Sequence, residues 1–323
     1  MNRLLVWNGN SGKSAVNEEV LDAIRSSDST STVELKRGVD LQAELTRAVE
    51  QGCKTVIVAG GDGTVNAAVN ALMKLETPRR PHMAILPSGT ANDFAGTLGI
   101  PDALDEAVDL LDTTQVVPVD VVRIRAQGFE RYYANIAAGG NSVRVSEEMT
   151  NEMKETWGAF CYLRGGLEVL GDLESFQVTA QVDDEKFEDI GTWAVLIANG
   201  RTNAGRIMVA PKASPVDGLL DVIVIRDGSV LDIVDIVSRA LWGSYLESEQ
   251  VIYRQAKRLQ LHSVPGMRFT IDGEVVDQEP VEFEVVPGAI SMYVGSQFLV
   301  EHSHLLLDQS SAQPARLSTP AGS

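Results

Sequence analysis

Cysteine, histidine, aromatic side chains and positive charge are what this sequence has least of. Only two cysteines occur among 323 residues, Cys53 and Cys161, far apart and without metal-ligand spacing. That pattern reads as two reduced structural thiols. The four histidines, His82, His262, His302 and His304, form no constellation of ligands or nucleophile partners. No apolar run reaches the ~20 residues that cross a bilayer. Met1 to Trp7 is a short apolar start that meets Asn8-Gly9 at once. It has no basic beginning and no small-residue cleavage site, so a cytoplasmic location is expected. Lys and Arg number 27 against 45 Asp and Glu, a formal net charge of −18. Such a surface does not suit nucleic acid and is not drawn to anionic lipid. Any docking on a membrane would need a local patch.

What is present is a globular composition, 44% apolar and 22% charged, and a length that suits two domains. The first third alternates strand and helix signals. Strands are expected at Arg3 to Trp7, Thr32 to Lys36, Lys54 to Ala59 and His82 to Leu86. Helices are expected at Ser14 to Ile24, Val39 to Gln51, Val65 to Lys74 and Ala103 to Leu111. Alternation of this kind implies a parallel sheet covered by helices. After Pro118 the pattern becomes mainly strand: Val119 to Arg125, Tyr132 to Ala137, Phe176 to Val182, Trp193 to Asn199, Gly218 to Ile225, Ala256 to His262, Arg268 to Ile271 and Val281 to Val286. Several of these alternate apolar and polar, as half-buried antiparallel strands do. Helical stretches interrupt them at Ser146 to Leu170 and Val230 to Trp242. The expected fold is α/β: a nucleotide-binding parallel-sheet domain over 1–118, then a β-sandwich substrate domain over 119–300. The last strand is free to return to the first domain. Residues 301–323, polar and rich in Pro and Ser, are expected to be a disordered tail.

The strongest chemical signal is Gly60-Gly61-Asp62-Gly63-Thr64, directly after the Lys54 to Ala59 strand. Glycines remove the Cβ atoms that keep a backbone away from a ligand. Their N–H groups, with the N-terminus of the next helix, can then meet phosphate oxygens. A Walker A loop is excluded, because no Gly-Lys-Ser/Thr follows. Asp62 in such a loop suits a nucleotide's metal or its water. Two companion loops follow other strands of the same sheet: Asn8-Gly9-Asn10-Ser11-Gly12, and Ser88-Gly89-Thr90-Ala91-Asn92-Asp93-Phe94. In a parallel sheet all three lie at the carboxyl ends of strands, where ligands bind. Each alone reads equally as an ordinary turn. Asp217 sits in a Pro/Asp/Gly turn whose backbone oxygens suit a hard cation. Ile271-Asp272-Gly273-Glu274 carries the commonest hairpin signal, and also a carboxylate able to take a proton from an alcohol.

These motifs, in this order, resemble the diacylglycerol kinase catalytic-domain family, particularly its bacterial lipid kinases, and more distantly the NAD kinases. The likeness runs from Arg3 to about Val294. It rests on GGDGTVNAAVNAL, LPSGTANDFAGTLGIP (Leu86 to Pro101), APKASPVDGLLDV (Ala210 to Val222) and IDGEVV (Ile271 to Val276). The stretch Lys154 to Leu170 looks like the lipid kinases and not the NAD kinases. The resemblance implies an ATP- and Mg²⁺-dependent lipid kinase. ATP would be bound by Asn8, Asn10, Ser11, Gly12, Gly60, Gly61, Asp62, Gly63, Thr64, Asn66, Gly89, Thr90, Asn92 and Asp93. It implies an acidic network of Asp62, Asp93 and Asp120 with water and Mg²⁺. It implies a structural Mg²⁺ on Asp217 with the carbonyls of Ser214 and Leu219. Glu274 would be the proton acceptor, with Asp272 beside it. The partner would be a lipid at a membrane surface, met peripherally and transiently, with a homodimer left open. Alternatives are a kinase of a soluble alcohol such as NAD, or a non-catalytic nucleotide-binding regulator.

Some positions depart from the family pattern. Gly9 stands where Pro is usual, Ala67 where Glu is usual, Lys36 or Arg37 where Thr often ends the second strand, and Ser142 where many relatives have Asp. The Gly-rich stretch before Ala210-Pro211 is thinned to Asn203-Ala204-Gly205. Trp157, Phe160, Tyr162, Leu163, Leu167 and Leu170 form an amphipathic stripe. That stripe reads either as core or as an acyl-chain contact.

Overall fold

Four runs of aliphatic and β-branched residues build the first sheet. They are β1 (Arg3–Trp7), β2 (Thr30–Glu34), β3 (Thr55–Gly60) and β4 (His82–Pro87), all parallel, in the order β2-β1-β3-β4. The structure is a computed structural model that describes residues 3–9, 18–27, 29–113, 115–143, 173–203, 205, 207–241, 243–271 and 274–306. Strand β3, TVIVAG, is buried at every position, as a strand covered on both faces must be. The helices packed around this sheet are α1 (Glu18–Arg25), α2 (Leu41–Glu50), α3 (Asp62–Met73), the short α4 (Asp93–Thr97) and α5 (Leu104–Asp109). Helix α2 starts where the Asp40 carboxylate accepts the Ala43 N–H at 3.1 Å, the usual device for an otherwise unpaired first-turn donor. Its Leu41, Leu45 and Ala48 face is buried.

The rest of the chain is mainly antiparallel. It comprises β5 (Val116–Ala126), β6 (Phe129–Tyr133), β7 (Ile136–Gly140), β8 (Phe176–Val182), β9 (Glu185–Ala198), the β10–β11 ribbon (Thr202–Asn203, Ile207–Met208), β12 (Leu220–Arg226), β13 (Val251–Ala256), β14 (Arg258–Val264), β15 (Phe269–Ile271), β16 (Glu274–Val276) and β17 (Val281–Tyr293). Among the described residues, helices α6 (Val230–Leu241) and α7 (Ser296–Glu301) accompany these strands. This is a β-sandwich. Its interior holds Val122, Ile124, Phe176, Val195, Phe269 and Phe283, with Phe283 edge-on to Phe269 at 5.4 Å and to Tyr133 at 6.5 Å.

Strands β5 and β17 belong to both halves. Val117, Val119 and Val121 of β5, with Ile290 and Met292 of β17, point into the core of the parallel sheet. Val122 and Ile124, with Phe283 and Val285, point into the sandwich. Side chains alternate strictly along a strand, and within each of these strands the two sets have opposite parity, so opposite faces of one strand serve different cores. A register shift lies between Val286 and Ile290, opposite Val119–Val121, with Gly288 at φ +55°. Bulges of this type bend and re-aim a strand. Beyond it, Met292 pairs with Met83 of β4, and one hydrogen-bonded network runs through both halves.

Several elements differ from expectation, each for a local reason. Helix α3 begins at Asp62, not Val65, so the glycine loop is largely a first helical turn. Tyr132 to Ala137 is two strands, because the Asn135 carbonyl turns away to accept the Asn199 and Gly200 N–H groups at 2.9 and 3.0 Å. Strand β9 begins at Glu185; its polar first half concealed it. Strand β17 continues through Pro287-Gly288, which read as an end. Residues 301–306 are not tail: His302 is buried and stacks on Phe298 at 4.1 Å, while Leu305 and Leu306 pack on the first core. Residues 307–323 and the whole of the expected Ser146 to Leu170 helix, including the Trp157 stripe, lie outside the described residues.

Candidate active site

The loops after β1, β3 and β4 meet at one edge of the sheet. The Asn8 N–H donates to the Ala59 carbonyl at 3.2 Å, and the Ser88 N–H to the Gly60 carbonyl at 3.2 Å. Gly61 and Gly89 touch backbone to backbone. A Cβ on Gly89 would stand 2.3 Å from the Gly61 Cα, and one on Gly60 would stand 2.4 Å from the Thr64 side chain. Those two positions therefore require glycine on steric grounds. Gly63 is different: it is exposed, and a Cβ there would meet nothing within 4 Å. Thr64 is buried and Thr90 exposed. Asn92 is left-handed at φ 54°. Its Oδ1 accepts the Gly89 N–H at 2.9 Å and its Nδ2 donates to the Gly89 carbonyl at 3.0 Å. The Asn92 side chain thus shapes the loop. Asn10, Ser11 and Gly12 lie outside the described residues.

Asp62 sits in the first turn of α3, and its carboxylate accepts the N–H groups of Asp93 at 3.2 Å and Phe94 at 3.0 Å. It holds α4 against the glycine loop. Asp93 is buried; its carboxylate accepts the Gly205 N–H at 3.3 Å and its carbonyl the Thr202 hydroxyl at 3.0 Å. Asp62, Val65, Asn66, Phe94, Ala134 and Asn135 line a small recess between the two halves. Asp120 does not complete this group as expected. It is fully buried, and its carboxylate is clasped by the N–H groups of Gly288 and Gly218, both at 2.7 Å. One oxygen pins the β17 bulge and the other pins the turn that carries Asp217.

That turn forms a second acidic centre. The Asp217 Oδ1 accepts the Leu219 N–H at 3.0 Å, and the Asp217 N–H points to the Ser214 carbonyl at 3.4 Å. Nearby Asp221 is 1% exposed; its Oδ1 accepts the Tyr253 hydroxyl at 2.6 Å, while its Oδ2 has no partner. Burial, with the charges of Asp221 and Asp120 adding to it, pushes the Asp217 carboxyl up to about 7. Burial also lifts Asp120 to about 6, against the opposing pull of the Gly288 and Gly218 amides. Among the described residues no three His, Cys, Asp or Glu side chains converge as a ligand set. A cation here would rest on one carboxylate and on backbone oxygens. The orphaned Asp221 oxygen and the charges of Asp221 and Asp120 acting on Asp217 fit a hard, oxygen-preferring ion.

The hairpin that carries Glu274 is placed by register. Strand β15 pairs with β16 so that Ile271 faces Glu274, and with β7 so that Ile271 faces Ala137. Ala137 lies two positions beyond Asn135, which lines the recess. The start of β16 therefore lies at the recess end of β7. Asp272 and Gly273 lie outside the described residues.

Sequence reasoning missed Asn70, whose side-chain amide bonds the Tyr132 backbone at 2.7 and 2.9 Å. The one available signal was a second asparagine four residues after Asn66, on a stretch of helix whose other residues after Asn66 are apolar. It also missed Asn199, which is fully buried and donates to the carbonyls of Asp120 and Ala134 at 3.0 and 2.7 Å.

Comparison with known proteins agrees with this fold. The diacylglycerol kinase catalytic domain profile matches residues 2–124, and the YegS C-terminal NAD kinase beta sandwich-like domain profile matches residues 134–294. A diacylglycerol kinase of Staphylococcus saprophyticus is 30% identical over 285 residues, 86% of this chain and 90% of that protein. One of Staphylococcus carnosus is 30% identical over 295 residues, 90% of this chain and 94% of that protein. The chain belongs to the diacylglycerol kinase family. As a member it is a kinase, a phosphotransferase with an alcohol group as acceptor. A crystal structure of a diacylglycerol kinase from Bacillus anthracis str. Sterne superposes with a TM-score of 0.74 at 26% identity, covering 92% of this chain and 98% of that one. An NAD kinase from Archaeoglobus fulgidus, solved in complex with ATP, shares the fold alone, with a TM-score of 0.50 at 12% identity over 94% of this chain and 98% of that one. No helix among the described residues is long and apolar enough to cross a membrane. Against the diacylglycerol kinase pattern, Ala67 is half-buried and packs on the first core. Lys36 pairs with Glu34 at 3.3 Å.

Proposed function

We propose that this protein transfers the γ-phosphoryl group of ATP to a lipid hydroxyl, of diacylglycerol or a related lipid. The observation that carries the reading is the glycine-on-glycine contact of the β3 and β4 loops, with Asp62 bound to α4 beside the recess that Asn135 also lines. ATP phosphates would lie on the first-turn N–H groups at Gly61 to Gly63, next to Thr64, whose N–H donates to the Gly61 carbonyl at 2.9 Å. Thr90, Asn66 and the Asn8 to Gly12 loop would flank the nucleotide, while Gly60, Gly89 and Asn92 keep the loops in contact.

The Glu274 carboxylate would take the proton of the acceptor hydroxyl as its oxygen bonds the γ-phosphorus and the bond to the bridging oxygen of ADP breaks. Asp272 would stand beside it. Asp62 and Asp93 would meet the Mg²⁺ that accompanies ATP. Asp217, with the Ser214 and Leu219 carbonyls, would hold a second, structural Mg²⁺, and Asp120 would fix the turn beneath it. Bound Mg²⁺ would neutralise phosphate charge at the first place and carboxylate charge at the second. The reading implies work at the cytoplasmic face of a membrane, peripherally and transiently.

The deciding experiment is a radiolabelled-ATP transfer assay in mixed micelles across lipid classes, with NAD and sugars as soluble acceptors. Transfer to a lipid above every soluble acceptor is expected. Turnover of NAD or a sugar well above every lipid would overturn the lipid assignment.

A further inference from the structure

Helix α3 carries Asp62 to Thr64 at its first turn and Asn70 two turns later. The Asn70 Nδ2 donates to the Tyr132 carbonyl at 2.7 Å, and its Oδ1 accepts the Tyr132 N–H at 2.9 Å. A side-chain amide here makes the pair of bonds that a neighbouring strand would make. Among the described residues β6 pairs only with β5. The Tyr132 backbone therefore faces outward at a strand edge, and Asn70 closes that edge. The same Nδ2 also reaches the Asn66 carbonyl and Oδ1 at 3.0 and 2.9 Å. Asn66 lines the recess with Asp62.

On the other side, β6 leads within three residues to Asn135, on the same recess, and then into β7. The β7 register with β15, Ile271 opposite Ala137, sets where the Glu274 hairpin stands. One amide thus joins the helix that begins with the glycine loop to the strand path that positions the acceptor side.

We infer that Asn70 is a positioning residue for phosphoryl transfer: it sets the distance between the phosphate-binding turn of α3 and the Glu274 edge of the sandwich, and it touches neither substrate. The inference rests on the proposed reading of the site. No residue with apolar or purely accepting chemistry can replace it, because the edge presents one donor and one acceptor together. Aspartate has the same shape and keeps the bond from the Tyr132 N–H, but its carboxylate faces the Tyr132 and Asn66 carbonyls without a proton to donate.

The test compares wild type with Asn70→Asp and Asn70→Ala. It measures equilibrium ATP affinity, kcat and KM for lipid in micelles, uncoupled ATP hydrolysis without acceptor, and the melting midpoint. Retained ATP affinity is expected, with kcat for lipid lowered tenfold or more, on the scale of the ~10²-fold that a 1 Å misplacement can cost. The ratio of lipid phosphorylation to uncoupled hydrolysis should fall as well. A purely structural role would lower the melting midpoint and leave turnover per folded molecule and that ratio unchanged; this result overturns the inference. If Asn70→Ala does not fold, the equal-sized Asn70→Asp carries the measurement. A wild-type enzyme that transfers phosphate to no lipid would overturn the functional reading and this inference with it.

Discussion

The contact between the β3 and β4 loops makes a measurable demand on Gly89. In Gly89→Ala the new Cβ would stand 2.3 Å from the Gly61 Cα, 2.9 Å from the Gly61 nitrogen and 2.8 Å from the Asn92 Oδ1. Carbon atoms pack at roughly 3.5–4.0 Å, so the loops must part by more than an ångström. Overpacking of this kind costs about 1–3 kcal/mol. Parting the loops also breaks the two Asn92–Gly89 hydrogen bonds, each contributing about 1 kcal/mol. The sum is roughly 3–5 kcal/mol, which for a chain of this size lowers the melting midpoint by roughly 4–8 °C. Gly63→Ala is the internal control. Its Cβ meets nothing within 4 Å, and replacing a helical glycine by alanine gains about 0.5–1 kcal/mol. Its melting midpoint should hold or rise slightly while ATP affinity falls, because the methyl group occupies the phosphate turn. Calorimetry with and without ATP reads both effects. A Gly89→Ala protein that melts like wild type would refute the steric reasoning. A Gly63→Ala protein with unchanged ATP affinity would refute the placement of the phosphates.

Glu274→Gln should lower kcat by ~10²-fold or more with ATP binding intact; near-normal turnover would move the base elsewhere, with Asp272 the next candidate. Asp62→Asn should destabilise the protein, since its amide cannot accept both the Asp93 and Phe94 N–H groups as the carboxylate does; calorimetry showing no loss would refute the α4 tether. The Asp217 carboxyl is raised from 3.8 to about 7 in the folded protein, so in that window the native state keeps a proton the unfolded chain has released. In chelator, stability should therefore fall as pH rises through that window, and saturating Mg²⁺ should flatten the slope. An Asp217→Ala protein that still gains from Mg²⁺ as wild type does would refute the cation site. His302 has the opposite sign. Burial lowers it from 6.5, and its two nitrogens face the Phe298 carbonyl and Arg201 at 3.0 and 3.1 Å. In saturating Mg²⁺, stability should thus fall as pH drops below 6.5, and the fall should shrink in His302→Gln.

Elements that announce themselves by period were legible in the sequence. TVIVAG of β3 and the Leu41, Leu45, Ala48 face of α2 needed no tertiary context. The glycine loop was legible because steric need leaves glycine as its trace, although sequence could not separate Gly89, which is obligatory, from Gly63, which sits in open space. Asp120 shows the limit. In sequence it is one acidic residue at the start of the second half, equally suited to a metal network or to a turn. Its role is set by Gly218 and Gly288, distant in the chain, and no local pattern encodes that meeting. Asn70 stayed hidden for a related reason: its partner is a backbone, and backbones carry no sequence signal. Strand β17 was cut short because Pro287-Gly288 is a stop signal locally, and only the two cores it serves explain why it continues.

That strand also makes the molecule slow to become whole. Its Ala289 carbonyl receives Arg80 across a separation of 209 residues, and its Met292 fills the edge of β4. At 5–20 residues per second a ribosome needs roughly 10–40 s to cover that distance. Throughout that interval the parallel sheet displays an unpaired, apolar margin, the kind that invites another chain. The N-terminal half is thus a nascent client before it is an enzyme domain. A fragment ending before residue 281 would stay in that condition permanently, and the yield of active protein in a cell would be governed by how the edge of β4 is guarded until its last strand arrives.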